Sequence, residues 1–203
     1  MQLYYARPSP FVRKVMVLLE EAGKVGEVEL IDGFGSPVSP NEALIAVNPI
    51  GKIPSLILED GRAIYDSRVV TRYLDAIFDT GFYPDDEKVW TTLTLEAHAD
   101  GILDAAILCV YEVRCRNEEI RSADWVSGQH AKICRGLDYI KSLLFASCYA
   151  MLGDERSSKS MSQNALVRRP ALTVSDIGLA DCFRQDYHRQ LLRDALRLSG
   201  LPE

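Results

Sequence analysis

Asn48-Pro49-Ile50-Gly51-Lys52-Ile53-Pro54-Ser55-Leu56-Ile57-Leu58-Glu59-Asp60-Gly61-Arg62-Ala63-Ile64-Tyr65-Asp66-Ser67 is the stretch from which the rest of the chain can be read. Two apolar runs flank Glu59-Asp60-Gly61, and Asp-Gly between β-forming segments predicts a hairpin. Pro54 opens the first run. Cis peptides are nearly confined to X-Pro bonds, so Ile53-Pro54 at the start of a strand predicts one. Such a bond turns the backbone N–H and C=O of Ile53 outward. Asp66-Ser67 then begins a helical pattern, and a helix N-terminus offers free N–H groups and partial positive charge to a carboxylate. Read together, these residues predict a grip on a small peptide: backbone pairing at Ile53, a carboxylate at Ser67 and an ammonium at Asp66.

Working outward, Gln2 to Tyr5 reads as a short strand. Pro10 suits the first position of a helix because its missing N–H is not needed there. That helix runs to about Ala22 with Phe11, Val12, Val15, Met16, Leu19 and Ala22 on one stripe, and Gly23 stops it. Val28 to Ile31 is a second strand, Gly33 to Pro40 a polar loop, and Glu42 to Val47 a short helix. After the hairpin, Ser67 to Phe78 reads as a helix with Val69, Val70, Tyr73, Leu74 and Ile77 inward. This βαβ-then-ββα order implies a mixed sheet with helices packed on it.

Residues 79–87 form a linker, and beyond them strand alternation disappears. The pattern predicts one long helix from Lys88 to about Asn117. A second, from Ser122 to about Ala150, has Trp125, Ile133, Leu137, Ile140 and Leu144 spaced for burial. Residues 153–170 are rich in Ser, Lys and Arg with little periodicity and read as a loop. Thr173-Val174-Ser175-Asp176 has the form of a capping box. The helix from Ala180 to about Leu198 carries Arg184, Asp186, Arg189, Arg193, Asp194 and Arg197 around its circumference. The chain thus divides into 1–78, a linker at 79–87, and an all-helical part at 88–203.

With 203 residues, 47% of them hydrophobic, the chain can bury a substantial core. The net charge of −6, with only short basic pairs such as Arg13-Lys14 and Arg168-Arg169, argues against a nucleic-acid partner. No apolar run approaches the ~20 residues of a membrane span, and no secretory leader precedes the first strand. The expected compartment is the cytoplasm. Cys109, Cys115, Cys134, Cys148 and Cys182 form no Cys-x-x-Cys and have no His at zinc spacing. They read as reduced thiols packed as small hydrophobes, and no metal is expected. His98, His130 and His188 lack spaced partners and read as surface or packing residues.

The order of parts resembles the N-terminal domain of the glutathione transferases, above all bacterial members with a serine near the N-terminus. Tyr4-Tyr5 ends the first strand, Ser9-Pro10-Phe11-Val12-Arg13-Lys14 opens a helix, and Ile53-Pro54 and Asp66-Ser67 follow in order. Ala97-His98-Ala99-Asp100-Gly101-Ile102-Leu103-Asp104-Ala105 is similar to the start of the family's second domain. The likeness covers residues 1 to about 145. It implies an α/β thioredoxin-like N-terminal domain, a mixed four-stranded sheet with helices, followed by an all-α C-terminal domain. Relative to the family, the C-terminal domain reads as abbreviated.

The resemblance also implies residue roles. Ser9 would donate its hydroxyl to the glutathione sulfur and favour the thiolate; on position alone Ser9 reads first as a helix cap, and the downstream constellation reverses that preference. Tyr5 is the alternative catalyst, since several branches of the family use a tyrosine hydroxyl at the end of the first strand; Tyr4 and Tyr5 point to opposite sheet faces, so at most one reaches the site. Phe11, Lys52, Ile53, Pro54, Asp66 and Ser67 would bind glutathione. Asp100 would be a contact from the second domain, and Asp104, four residues on, would lie at a subunit interface. The implied activity is attack of the glutathione thiolate on a small electrophile by a homodimer, with glutathione as co-substrate and no metal. The alternative is a non-catalytic glutathione-binding scaffold of the same fold. A thiol oxidoreductase is disfavoured because residues 8–13 contain no cysteine.

Overall fold

A computed structural model describes residues 1–152, 154–168, 170, 172–174 and 186–203. The chain divides into two units, Met1–Gly81 with Tyr111–Arg121, and Phe82–Val110 with Ser122–Glu203.

The first unit runs β1 (Gln2–Tyr5), α1 (Pro10–Glu21), a single 3-10 turn at Val25–Glu27, β2 (Glu29–Asp32), α2 (Glu42–Val47), β3 (Ser55–Ile57), β4 (Ala63–Ile64) and α3 (Ser67–Phe78). The strands form the mixed four-stranded sheet expected from the sequence, in the order β2-β1-β3-β4. β1 lies parallel to β2, with Tyr5 beside Asp32, and antiparallel to β3, with Tyr4 beside Ser55. The hairpin closes β3 on β4, pairing Leu56 with Ile64. Alternation along β1 sends Tyr4 toward α2, where its hydroxyl donates to the Ala43 carbonyl at 3.2 Å. Leu3 points the other way and is fully buried, as is its partner Leu56.

This topology gathers chain ends at one edge. β1 and β2 finish there, β3 starts there, and β4 returns there because it runs antiparallel to β3. The N-termini of α1 and α3, which follow β1 and β4, are therefore delivered to the same end of the sheet. The Ile53-Pro54 peptide is cis, as expected, and the Tyr65-Asp66 peptide is also cis.

α1 buries Val12, Val15, Leu18 and Leu19, leaving Phe11 and Met16 half-buried. The inward face of α3 is Ser67, Val70, Thr71, Leu74 and Asp75. Val69 and Ile77, expected inside, are exposed. The hydrophobic residues alone mark a face rotated from the true one, because Thr71 returns its hydroxyl to the Ser67 carbonyl at 2.8 Å and Asp75 accepts from the Thr80 hydroxyl. With those polar groups satisfied internally, they can occupy the buried stripe.

In the second unit α4 (Val89–Arg114) contributes its residues up to Val110, and α5 (Ala123–Met151), α6 (Glu155–Arg168) and α7 (Asp186–Leu198) follow. Gly136 on α5 stands where a Cβ would meet Ile102 Cγ1 at 2.6 Å, so the missing side chain lets the two helices approach. His98 sits beside this contact, its Nε2 3.1 Å from the Gly136 carbonyl and its ring 5.1 Å from that of Tyr139. It is a packing residue, as expected. Trp125 and Leu137 are exposed, contrary to their spacing for burial.

Residues 155–168, expected as part of a loop, are helix α6. Its buried positions are Ser158, Ser162 and Ala165, a stripe of small residues that hydrophobic periodicity does not register. Ser158 donates to the Ala146 carbonyl at 2.9 Å, and Ser162 to the Ser199 hydroxyl at 2.6 Å. The C-terminal helix is less uniformly polar than its arginines suggest: Leu196 joins Ala165, Leu172, Val174 and Leu201 in a core against which Tyr139, Leu166 and Leu192 pack. Of the expected capping box, Ser175 and Asp176 lie outside the described residues, as does Cys182. α4 ends at Arg114, short of the expected Asn117, and Arg121 donates to the Val113 and Arg116 carbonyls at 2.9 and 3.2 Å. That guanidinium satisfies carbonyls a further helical turn would have bonded.

Candidate functional site

The sheet end where α1 and α3 begin carries Ser9, Asp66 and Ser67, with Ile53-Pro54 leading into β3 at the same end. Ser9 is the N-cap of α1, its Oγ accepting the Val12 N–H at 3.3 Å. Its own N–H donates to the Ala6 carbonyl at 3.0 Å, so the chain folds back sharply between β1 and the helix. A hydroxyl has one hydrogen to donate beyond the lone pairs it offers. Capping uses a lone pair and leaves that hydrogen uncommitted among the described residues. The first turn of α1 carries no acidic residue, so its positive end is not neutralised from within. Phe11, half-buried, lies in that turn.

The cis-proline loop is held by a residue that the sequence reading passed over. Asn48, fully buried, donates through Nδ2 to the Lys52 carbonyl and the Ser55 hydroxyl, both at 3.0 Å, and accepts the Ile50 N–H at 3.0 Å. Ser55 in turn donates to the Lys52 carbonyl at 2.9 Å. The loop from Ile50 to Pro54 is thus fixed from beneath. Lys52 is exposed and Pro54 buried, while the Ile53 backbone enters no hydrogen bond among the described residues. Only the Asn-Pro pair, a turn signal, marked Asn48 in the sequence.

Asp66 caps α3, accepting the Arg68 N–H at 3.1 Å, and remains exposed. Ser67 is 2% exposed, and its hydroxyl has no partner among the described residues. Tyr5, half-buried, lines an open cavity of about 300 Å³ with Ala6, Arg7, Pro8, Leu30, Ile31, Asp32 and Phe34. Phe34, Arg7 and the cavity were not anticipated; Phe34 is 61% exposed, in a loop read only as polar. Asp100 is in the second unit and 1% exposed, whereas Asp104 is exposed, so burial separates two carboxylates that share a helix face. Among the described residues no group of His, Cys, Asp and Glu is placed to hold a metal ion.

Residues 8–77 match the family model of the glutathione S-transferase N-terminal domain. An uncharacterized GST-like protein of Escherichia coli K12, YibF, is 33% identical over 146 residues, 71% of this chain and 70% of that protein. A crystal structure of a glutathione transferase family member from Pseudomonas fluorescens Pf-5, with bound glutathione, is similar over 99% of this chain and 95% of that one, at 38% identity and a TM-score of 0.66. A glutathione S-transferase from Methylobacillus flagellatus KT, with glutathione bound, is similar over 98% of this chain and 91% of that one, at 26% identity and a TM-score of 0.60.

Proposed function

The chain belongs to the glutathione S-transferase family, and from that premise we propose that it conjugates the glutathione thiolate to a small electrophile. The observation that carries this reading is Ser9: a hydroxyl with a free hydrogen, at the uncompensated positive end of a helix, beside the sheet end. A thiol brought there is favoured as thiolate, because the helix terminus and the hydroxyl both lower the energy of its negative charge. The tripeptide is held by the Ile53 backbone, by Ser67 for a carboxylate and by Asp66 for the ammonium, with Lys52, Phe11 and Pro54 around it. Holding both reactants turns a bimolecular encounter into a positioned one. The sulfur forms a bond to the electrophilic carbon, the leaving group departs with its electron pair, and the thiol proton passes to solvent.

Tyr5 is the alternative donor to the sulfur, since its hydroxyl has no partner among the described residues. Pairing of two copies along α4 would cover its exposed Trp90 and Leu108. Among the described residues no helix is long and apolar enough to cross a membrane. The cytoplasm, where glutathione and reduced thiols coexist, is the compartment this reading requires. A second reading, a glutathione-binding scaffold without turnover, is favoured by one observation: capping alone already accounts for Ser9.

Ser9→Ala tests the proposal. Loss of the cap costs about 1 kcal/mol of stability on either reading. If Ser9 stabilises the thiolate, the variant still binds glutathione, its bound thiol titrates at higher pH, and conjugation slows about ten- to hundredfold. Ultraviolet thiolate absorbance of the two glutathione complexes against pH decides. Coincident curves, with only the melting temperature lowered, would leave Ser9 structural and move the role to Tyr5 or the function to the scaffold.

A further inference from the structure

The chain contains three Asp-Gly steps, Asp32-Gly33, Asp60-Gly61 and Asp100-Gly101, and no Asn-Gly. Glycine after aspartate leaves the next amide nitrogen unshielded, since no side chain stands between it and the aspartate carboxyl carbon. Closing a succinimide ring between the two needs room around the glycine and freedom for the aspartate to turn. At Asp32 both are denied: Gly33 is buried, its N–H donates to the Tyr5 carbonyl at 2.8 Å, and a carbon added to it would stand 2.7 Å from Ile53 Cγ2. The Asp100 step lies inside helix α4 with its aspartate 1% exposed, so ring closure would have to break the helix. Asp60 and Gly61 are exposed at the tip of the β3–β4 hairpin, and nothing lies within 4 Å of a carbon added to Gly61. What restrains this step is Arg62. Its backbone N–H and its Nε reach the two Asp60 carboxylate oxygens at 3.0 and 2.6 Å, while the Gly61 N–H donates to the Leu58 carbonyl at 3.1 Å. The bonds from Arg62 hold the carboxyl below its ordinary pKa of 3.8, and an ionised carboxylate lacks the hydroxyl that ring closure expels.

We propose that Asp60-Gly61 is a site of spontaneous isoaspartate formation in the folded protein, and that the Arg62 side chain slows it. The assignment does not depend on what the sheet end binds. The Gly61 nitrogen bonds to Asp60 Cγ, the bond from that carbon to the carboxyl hydroxyl breaks, and hydroxyl and amide hydrogen depart together as water. Water then adds to either carbonyl of the ring. Opening at the main-chain carbonyl leaves the backbone running through the Asp60 side chain and frees the former main-chain carbonyl as a carboxylate. The net change is an isomerisation that consumes no other reactant. The lengthened backbone lies between Leu58 and Arg62, whose N–H and carbonyl close the hairpin at 2.8 Å, so the change stays at the tip, outside the strand ladder.

The test incubates the full-length wild type and Arg62→Ala for weeks in neutral buffer, below their melting temperatures, beside a urea-unfolded wild-type sample. Peptide mass spectrometry with electron-transfer fragmentation locates the isoaspartate. Methylation by an isoaspartyl carboxyl methyltransferase with a labelled methyl donor measures its total. In the folded wild type it is expected at residue 60 and not at 32 or 100, whereas the unfolded chain forms it at every Asp-Gly step. Arg62→Ala is expected to accelerate it at residue 60 about two- to fivefold, the size of one exposed charge pair, with the other steps unmoved. Isoaspartate appearing first at 32 or 100, or absent from 60 while the unfolded chain forms it there, overturns the site. An unchanged rate in Arg62→Ala, or an acceleration shared by every step, overturns the restraint by Arg62.

Discussion

Gly33 lies so close to Ile53 that a methyl group on its Cα would stand 2.7 Å from Ile53 Cγ2, with the Tyr5 backbone nitrogen at 3.1 Å on another side. Its N–H donates to the Tyr5 carbonyl at 2.8 Å. The residue after β2 thus touches the end of β1 and the residue before the cis proline at once. Gly33→Ala forces the three segments apart. The expected cost is about 1–3 kcal/mol in urea denaturation, with weaker glutathione binding because Ile53 is displaced. Unchanged affinity would mean that the Ile53 backbone does not carry the tripeptide.

Asn48 acts on the same loop from below. Asn48→Ala removes two donors and one acceptor, leaving the Ile50 N–H without the side-chain partner it now has. A stability loss of about 1–3 kcal/mol is expected from the lost hydrogen bonds of a buried side chain and the space it leaves. Glutathione affinity should fall in the same variant. Loss of stability with affinity intact would separate the loop's architecture from binding.

Ser67 and Asp66 are neighbours with different expected signatures. Ser67→Ala removes a hydroxyl that has no partner among the described residues, so stability should move by less than about 0.5 kcal/mol. Glutathione affinity should fall about ten- to hundredfold with one charge-assisted bond gone. Asp66→Ala removes a helix cap as well, costing about 1 kcal/mol of stability. Calorimetric titration beside thermal melting of each variant distinguishes the two patterns.

Asp60 supplies a prediction with pH. In the hairpin turn its carboxylate accepts the Arg62 backbone N–H at 3.0 Å and Arg62 Nε at 2.6 Å, and these bonds, the backbone one foremost, hold its pKa below the ordinary 3.8. A depressed value means that the charged form favours the fold: the contribution is present above 3.8 and is lost as pH falls through the folded-state value. Asp60→Ala should therefore melt slightly below the wild type near neutral pH. The gap should shrink as pH falls below 3.8; a gap that stays constant would show that the turn does not depend on the charge.

The strands and the hairpin of the mixed sheet were legible because Asp-Gly, Pro54 and the short apolar runs act locally, each dictating its own turn or strand; the order β2-β1-β3-β4 was not. The boundaries of α3, Ser67 to Phe78, were legible for the same reason. Its inward face was not, because Thr71 and Asp75 are buried by bonding within their own helix and its end, which apolar spacing cannot reveal. Helix α6 was hidden likewise, its buried stripe being serine and alanine. At the site, the positions of Ser9, Ile53 and Ser67 followed from chain order. The cavity of Tyr5, Arg7 and Phe34 did not, since β2 and the β1–α1 turn come together only through parallel pairing across more than twenty residues. The cis Tyr65-Asp66 bond had no residue to announce it.

Because strands end or begin, and two helices start, at one end of the sheet, the candidate residues Ser9, Lys52 and Ile53 lie in connecting segments while the scaffold lies in strand pairing. Exposed positions within segments 6–9 and 34–40 can change chemistry while the strand registers stay as they are, whereas Gly33 and the loop held by Asn48 cannot. Ligand preference and architecture are thereby separately heritable. Exposed positions such as Arg7 and Phe34 are open to exchange in a lineage, or to grafting by an engineer, because the ladder does not depend on their side chains.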